Sequence, residues 1–219
     1  MVAGTDIKDA ILEILEDSED QATYVDASIL RWINDAQRAI VAVRPEANPV
    51  RVVKQLIAGT VRQTIDGIWL LDVVRNMGID GNTPGRAMRF ISRETWTEVN
   101  ATWPTDTGMT TVKEWSFDIR VPTVFYVYPQ PHATVPVYLE LYQSENPTDL
   151  TDLTDSLSLD DVYAPAITEW SLYRFFSRDS ENTPNVQRSQ MHLNVFQSLI
   201  GASTTRFAQS SPTKLNPEE

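Results

Sequence analysis

Two histidines, thirty acids and no cysteine limit the chemistry open to this chain. Without cysteine there is no thiolate nucleophile, thiolate metal site or disulfide. His132 and His192 are far apart and make no His-x-x-x-His pair. His192, between Met191 and Leu193 on a helical pattern, and His132, after Pro-Gln-Pro in a turn, both read as packing or surface residues. No Gly-x-Ser-x-Gly elbow is present, so no catalytic residue is assigned. Asp149, Asp152 and Asp155 recur every third position in LTDLTD, and a hard cation favours clustered carboxylates. The central glycine and closing glutamate of an EF-hand loop are missing, so the segment reads as a solvated acidic loop and no metal site is expected. Gly78, Gly81 and Gly85 in GIDGNTPG lack the Gly-Lys-Ser/Thr ending of a phosphate loop and read as a connection, with no cofactor. Thirty acids offer many pairs for glycoside hydrolysis, which makes that signal unspecific. The sequon Asn100-Ala101-Thr102 has meaning only in a glycosylating compartment.

Aromatics are the richer signal, with six tryptophans and seven tyrosines. Trp32, Trp69 and Trp170 lie on apolar stripes and read as core. Trp96, Trp103 and Trp115 fall near loop edges, where large rings suit contacts between subunits.

The 219 residues suit one large domain or a core with a sizeable insertion. The formal charge of −12 is uneven. Residues 1–30 hold eight acids and one lysine, and residues 145–161 hold six acids and no base, leaving about +1 for the rest. No cluster of Lys and Arg offers a tight grip on phosphate, but an acidic surface suits a channel through which DNA slides. No apolar run is long enough to cross a bilayer and the start does not resemble a signal peptide, so synthesis in a host cytoplasm is expected and no membrane partner.

Periodicity places the elements that carry these residues. Ile7, Ile11 and Leu12, with Thr5 or Asp6 as cap, predict a first helix over 6–17. Ile29, Ile33, Ala36, Ile40 and Val41 predict a second, ended by Arg44-Pro45. Strands are expected at 50–57, 61–65, 68–74 and 86–91, then a short helix from Ser92. Trp115, Phe117, Ile119 and Val121 alternate as one strand, Val124 to Tyr128 forms another, and Val137, Leu139 and Leu141 mark a third with Glu140 and Gln143 outward. A helix follows from Asp161 to Arg178, with Pro165 in its first turn. The last has Thr183 as cap and Pro184 at its first position, a stripe of Val186, Leu193, Phe196 and Ile200, and a stop at Gly201. The expected fold is α+β. A helical bundle is formed by residues 1–47 and 160–201. An antiparallel sheet or sandwich is inserted over 48–145, with an acidic loop at 146–159 and an extended C-terminal arm from 202 to 219.

Several segments in this order resemble the head–tail adaptor, or connector, proteins of tailed bacteriophages. They are WINDAQRAIVAVRPEA (32–47), LLDVVRNM (70–77), GRAMRFISRETW (85–96), TVFYVYPQP (123–131), YAPAITEWSLYRFFSRDSEN (163–182) and the final QMHLNVFQSLIG, spanning residues 5–201. The resemblance implies a virion protein at the head–tail junction without catalytic residues. It also implies a ring, commonly of twelve copies, between the portal protein and the tail or nozzle proteins, through which DNA passes during genome ejection. In such a ring Asp149, Asp152 and Asp155 would face the channel, Trp96, Trp103 and Trp115 a neighbouring copy, and Arg206, Phe207, Lys214 and Leu215 on the arm would reach the portal or another partner. The alternatives are a tail-completion or tube-initiating protein and, more remotely, a carboxylate-based hydrolase of cell wall.

Overall fold

In a computed structural model the described residues are 1–15, 26–178 and 183–210, with side chains described through Gly201. The chain divides into two compact units: Met1–Asn48 with Pro147–Glu219, and Pro49–Asn146.

In the first unit, α1 spans Gly4–Leu15 and α2 spans Asp26–Val43. Asp6 caps α1 by accepting the Ala3 N–H at 2.8 Å. Apolar residues at helical spacing turn one face of α2 inward, burying Ile29, Trp32, Ile33, Ala36, Ile40 and Val41. Among the described residues two more α-helices, Ala164–Phe176 and Thr183–Ser210, belong to this unit and carry the labels α4 and α5. Pro165 sits in the first turn of α4, where its missing N–H costs nothing. The α4 side contributes Ile167, Leu172 and Phe176 to the core, and α5 adds Phe196 and Ile200.

Two features of α5 differ from expectation. Val186 is exposed and His192 is buried, so the inward face is Ser189, His192, Phe196 and Ile200. The helix also runs through Gly201 to Ser210. A glycine costs a helix only about 1 kcal/mol and stops it only when the chain turns left-handed there. The first true breaker is Pro212. Residues 202–210 of the expected arm therefore continue the helix.

The second unit holds seven strands in two sheets. These are β1 (Pro49–Gln55), β2 (Arg62–Thr64), β3 (Trp69–Asn76), β4 (Arg89–Phe90), β5 (Glu114–Phe117), β6 (Val124–Tyr128) and β7 (Tyr138–Ser144). One sheet has the order β1-β7-β3 and the other β2-β6-β5-β4. All pairs are antiparallel except β4 with β5. A single core joins the two sheets, with Leu70, Val73, Leu139 and Leu141 from one and Trp115, Phe125 and Val127 from the other. The helix α3 spans Arg93–Val99 and is capped by Ser92, whose hydroxyl accepts the Thr95 N–H at 3.3 Å.

Here too the structure corrects two expectations. The strand beginning at Trp115 stops at Phe117, because Asp118 folds the chain back by accepting the Arg120 N–H at 3.0 Å. Ile119 and Val121 are therefore exposed. Glu140 and Gln143 are buried rather than outward. β7 is the central strand of its sheet, and Arg51 on β1 and Arg75 on β3 close over Glu140 from both sides.

Candidate assembly surfaces

Both histidines are engaged in local contacts. His192 Nδ1 lies 2.7 Å from Glu169 Oε2, and its ring stacks on Phe176 with centroids 5.5 Å apart and planes 2° apart. The nearby Ser189 hydroxyl donates to the Tyr173 carbonyl at 3.4 Å, so serine, histidine and carboxylate do not form a relay. The trio fastens α5 to α4 instead. His132 Nδ1 accepts the N–H groups of Thr134 at 3.2 Å and Val135 at 3.1 Å, which shapes a turn.

Several carboxylates on the β unit are tied to cations or donors. Glu114 accepts Trp96 Nε1–H at 2.8 Å and pairs with Arg89. Asp118 pairs with Arg120 at 2.9 Å and Arg93 at 3.3 Å, and the Arg120 hydrogen bonds hold its carboxyl down to about 2. Asp72 is pushed the other way by burial. Asp106 accepts Tyr128 O–H at 2.9 Å and Asn100 Nδ2–H at 2.7 Å, and the bond from Tyr128 to Asp106 raises the Tyr128 hydroxyl. The sequon amide of Asn100 is thus engaged, and its oxygen also accepts the Thr102 N–H at 3.1 Å. In the glycine loop, Gly78 and Gly81 adopt φ of 66° and 75° so that the chain can double back. The Asp80 carboxylate takes the N–H groups of Asn82 at 3.0 Å and Thr83 at 3.1 Å. Those are the donors a phosphate would need, and a carboxylate already fills their place.

The acidic segment is an ordered strap. Leu150, Leu153, Leu157 and Leu159 are buried along it. Asn34 of α2 grips Leu150 through both backbone groups, donating at 3.0 Å and accepting at 2.9 Å. Gln37 accepts the Ser158 N–H at 2.8 Å. Backbone bonds join the strap to the start of α1, from Gly4 to Asp155 and from Thr5 to Leu153. Asp149 pairs with Arg38. Asp155 is held below the usual carboxylate range by the backbone groups of Asp152 and Thr151 and the Thr151 hydroxyl; Asp152 is held down by the Thr154 N–H and hydroxyl. The three aspartates therefore stand on the outer side of a packed segment. Among the described residues no cluster of three or more His, Cys, Asp or Glu side chains suits a metal ion.

The tryptophans singled out for contacts between subunits are buried within the single chain. Trp96 is 5% exposed, Trp103 7% and Trp115 4%. Trp96 and Trp103 pack together with centroids 4.8 Å apart, beside Val61, and Trp115 belongs to the core between the sheets. Part of the apolar surface of this unit lies beside them. A cleft of about 310 Å³ runs along α3 between Ile91, Val99 and Tyr128. Another, of about 450 Å³, lies between Phe90, Phe117 and Ile119. In the helical unit the exposed apolar residues Met191, Val195 and Leu199 follow i, i+4, i+8 along α5. Arg206 and Phe207 lie on the same helix, but their side chains are outside the described residues, as are Lys214 and Leu215 altogether.

Sequence reasoning missed the strap and the α5 line. The leucines at 150, 153, 157 and 159 were a signal for the first, since a solvated loop has no use for four of them. The second could not be found, because Met191, Val195 and Leu199 border the buried stripe and merge with it in one dimension. A family model described as the SU10 adaptor protein matches residues 4–215. No curated protein matches the chain.

Proposed function

The chain belongs to the SU10 adaptor protein family, and from that premise we propose that it is a non-enzymatic subunit of a ring between head and tail. The family is one of phage structural adaptors, which supports reading the protein as a virion component. The observation that carries the finer reading is the extent of the match, which runs through both compact units rather than through one of them. The whole described chain is then adaptor.

In this reading the ring contact is heterologous, one face of a copy meeting a different face of the next. The α5 line of Met191, Val195 and Leu199 supplies one apolar face. The clefts beside α3 supply further concave surface. Asp149, Asp152 and Asp155 stand on a rigid support, as a channel lining that repels DNA requires. The helical extension bearing Arg206 and Phe207, with Lys214 and Leu215 after it in the sequence, reaches the portal protein, and tail proteins are further partners. The copy number of twelve is carried over from the connector resemblance.

Mass measurement of the purified chain, alone and mixed with portal protein, tests the reading. A closed multimer is expected in at least the mixture. A chain that stays single in both conditions sinks the ring. Imaging that places the copies along the tail, away from the portal, would make it a tail-completion protein instead.

A further inference from the structure

We infer that the outer edge of β1 is a docking site for one extended polypeptide strand that carries an acidic side chain beside Arg51 and an apolar one beside Val53. The site exists in the single chain and does not depend on how copies assemble.

The register defines which groups are available. β1 pairs antiparallel with β7, Pro49 opposite Ser144 through Gln55 opposite Tyr138. One residue further on, the Leu56 N–H donates to the Val137 carbonyl at 2.9 Å. That makes Leu56 and Val137 a hydrogen-bonded pair. Such pairs alternate along an antiparallel ladder, so Lys54, Val52 and Val50 also direct their backbone groups at β7. Arg51, Val53 and Gln55 must then direct their N–H and C=O groups away from the sheet. Among the described residues no hydrogen bond meets those outward groups.

The edge is bounded at both ends. Pro49 has no N–H to offer. At the far end the buried Gln63 amide closes the outward groups of Ile57, accepting its N–H at 2.7 Å and donating to its carbonyl at 3.0 Å. A three-residue window remains between two closed ends.

Natural sheets guard such edges with charge or with covering chain. Covering chain guards the other edge of this sheet: Met88 N–H bonds to the Val74 carbonyl at 2.9 Å, and Asn76 N–H to the Arg86 carbonyl at 2.8 Å. β1 has charge, but each of its cations is already paired. Arg51 pairs with Glu140, and Lys54 pairs with Asp66 at 2.7 Å. Beside Arg51 a local surplus of one positive charge remains, because Arg51 and Arg75 share the single carboxylate of Glu140, while the next acid on this face, Asp72, stands opposite Tyr142 further along β7. A second β1 would bring the same surplus against it. An acidic strand from elsewhere matches it, and Val53, 39% exposed at the centre of the window, offers the apolar contact.

The test uses the full chain and a nine-residue peptide of alternating valine and threonine with one central glutamate. A control peptide has the same side chains and methylated backbone nitrogens. Residue-resolved amide exchange is followed by NMR. With the first peptide at about 1 mM, exchange at Arg51, Val53 and Gln55 is expected to slow about tenfold or more, and the control should have no effect. Val53→Pro removes an N–H that the ladder does not use, so melting should be unchanged and protection lost. Unprotected amides with the first peptide, or equal protection by the methylated one, would overturn the proposal. Protection without peptide that grows with protein concentration would overturn it in favour of a second copy. Should Val53→Pro not fold, the two peptides still decide.

Discussion

At Gly67 a single hydrogen atom stands where a methyl group would run into the Ser144 carbonyl oxygen and come within 2.9 Å of the Gln143 side chain. Those neighbours belong to the central strand of the three-stranded sheet and cannot retreat. Gly67→Ala is expected to cost about 1–3 kcal/mol in chemical denaturation, the usual range for an overpacked site. Asp118 offers a second test at this scale. The Arg120 hydrogen bonds lower its carboxyl from an ordinary 3.8 to about 2. A depressed folded value gives stability that is full above pH 3.8 and is lost as pH falls through about 2. An NMR titration of the carboxyl should therefore show its midpoint near 2. A midpoint at 3.8 would mean that Arg120 does not hold it in solution.

Among the elements, the strap shows what buried amides do for a segment without regular structure. Asn34 is 8% exposed and replaces the hydrogen bonds that Leu150 would otherwise make in a helix or sheet. Asn34→Ala leaves both Leu150 backbone groups unpaired. The expected loss is about 2–3 kcal/mol, with faster amide exchange at Leu150 as its local signature. Slowed or unchanged exchange there would show that the strap holds by its leucines alone. Helix positions, by contrast, were legible from periodicity: the α2 stripe and the Ser92 and Pro184 signals at the starts of α3 and α5 all correspond to what the fold contains. The end of α5 was not legible, because a glycine stops a helix only when the following chain bends away. The extent of the strand at Trp115 was not legible either, since an alternating pattern cannot reveal that Asp118 will capture the Arg120 N–H.

For the molecule as a whole, the prediction concerns assembly. Met191 and Leu199 are 53% and 40% exposed and contribute little to the subunit's own core. Replacing both with aspartate should leave the melting temperature nearly unchanged. Association measured by sedimentation should weaken about tenfold or more, because an apolar contact is replaced by buried charge. A multimer of unaltered mass and affinity would remove the α5 line from the interface.

From the order of residues alone came the α+β class, the helix stripes, most strand positions, the absence of thiol chemistry and the likeness to connector proteins. Each depends on neighbours in the chain or on composition, which one dimension contains. Only the tertiary structure decided that Trp96, Trp103 and Trp115 turn inward, that Glu140 is buried between two arginines, that the acidic strap is packed, and that β1 keeps an open edge. These outcomes depend on which distant segment arrives beside a residue. Burial and free backbone groups belong to pairs of segments, and no single stretch of sequence contains both members.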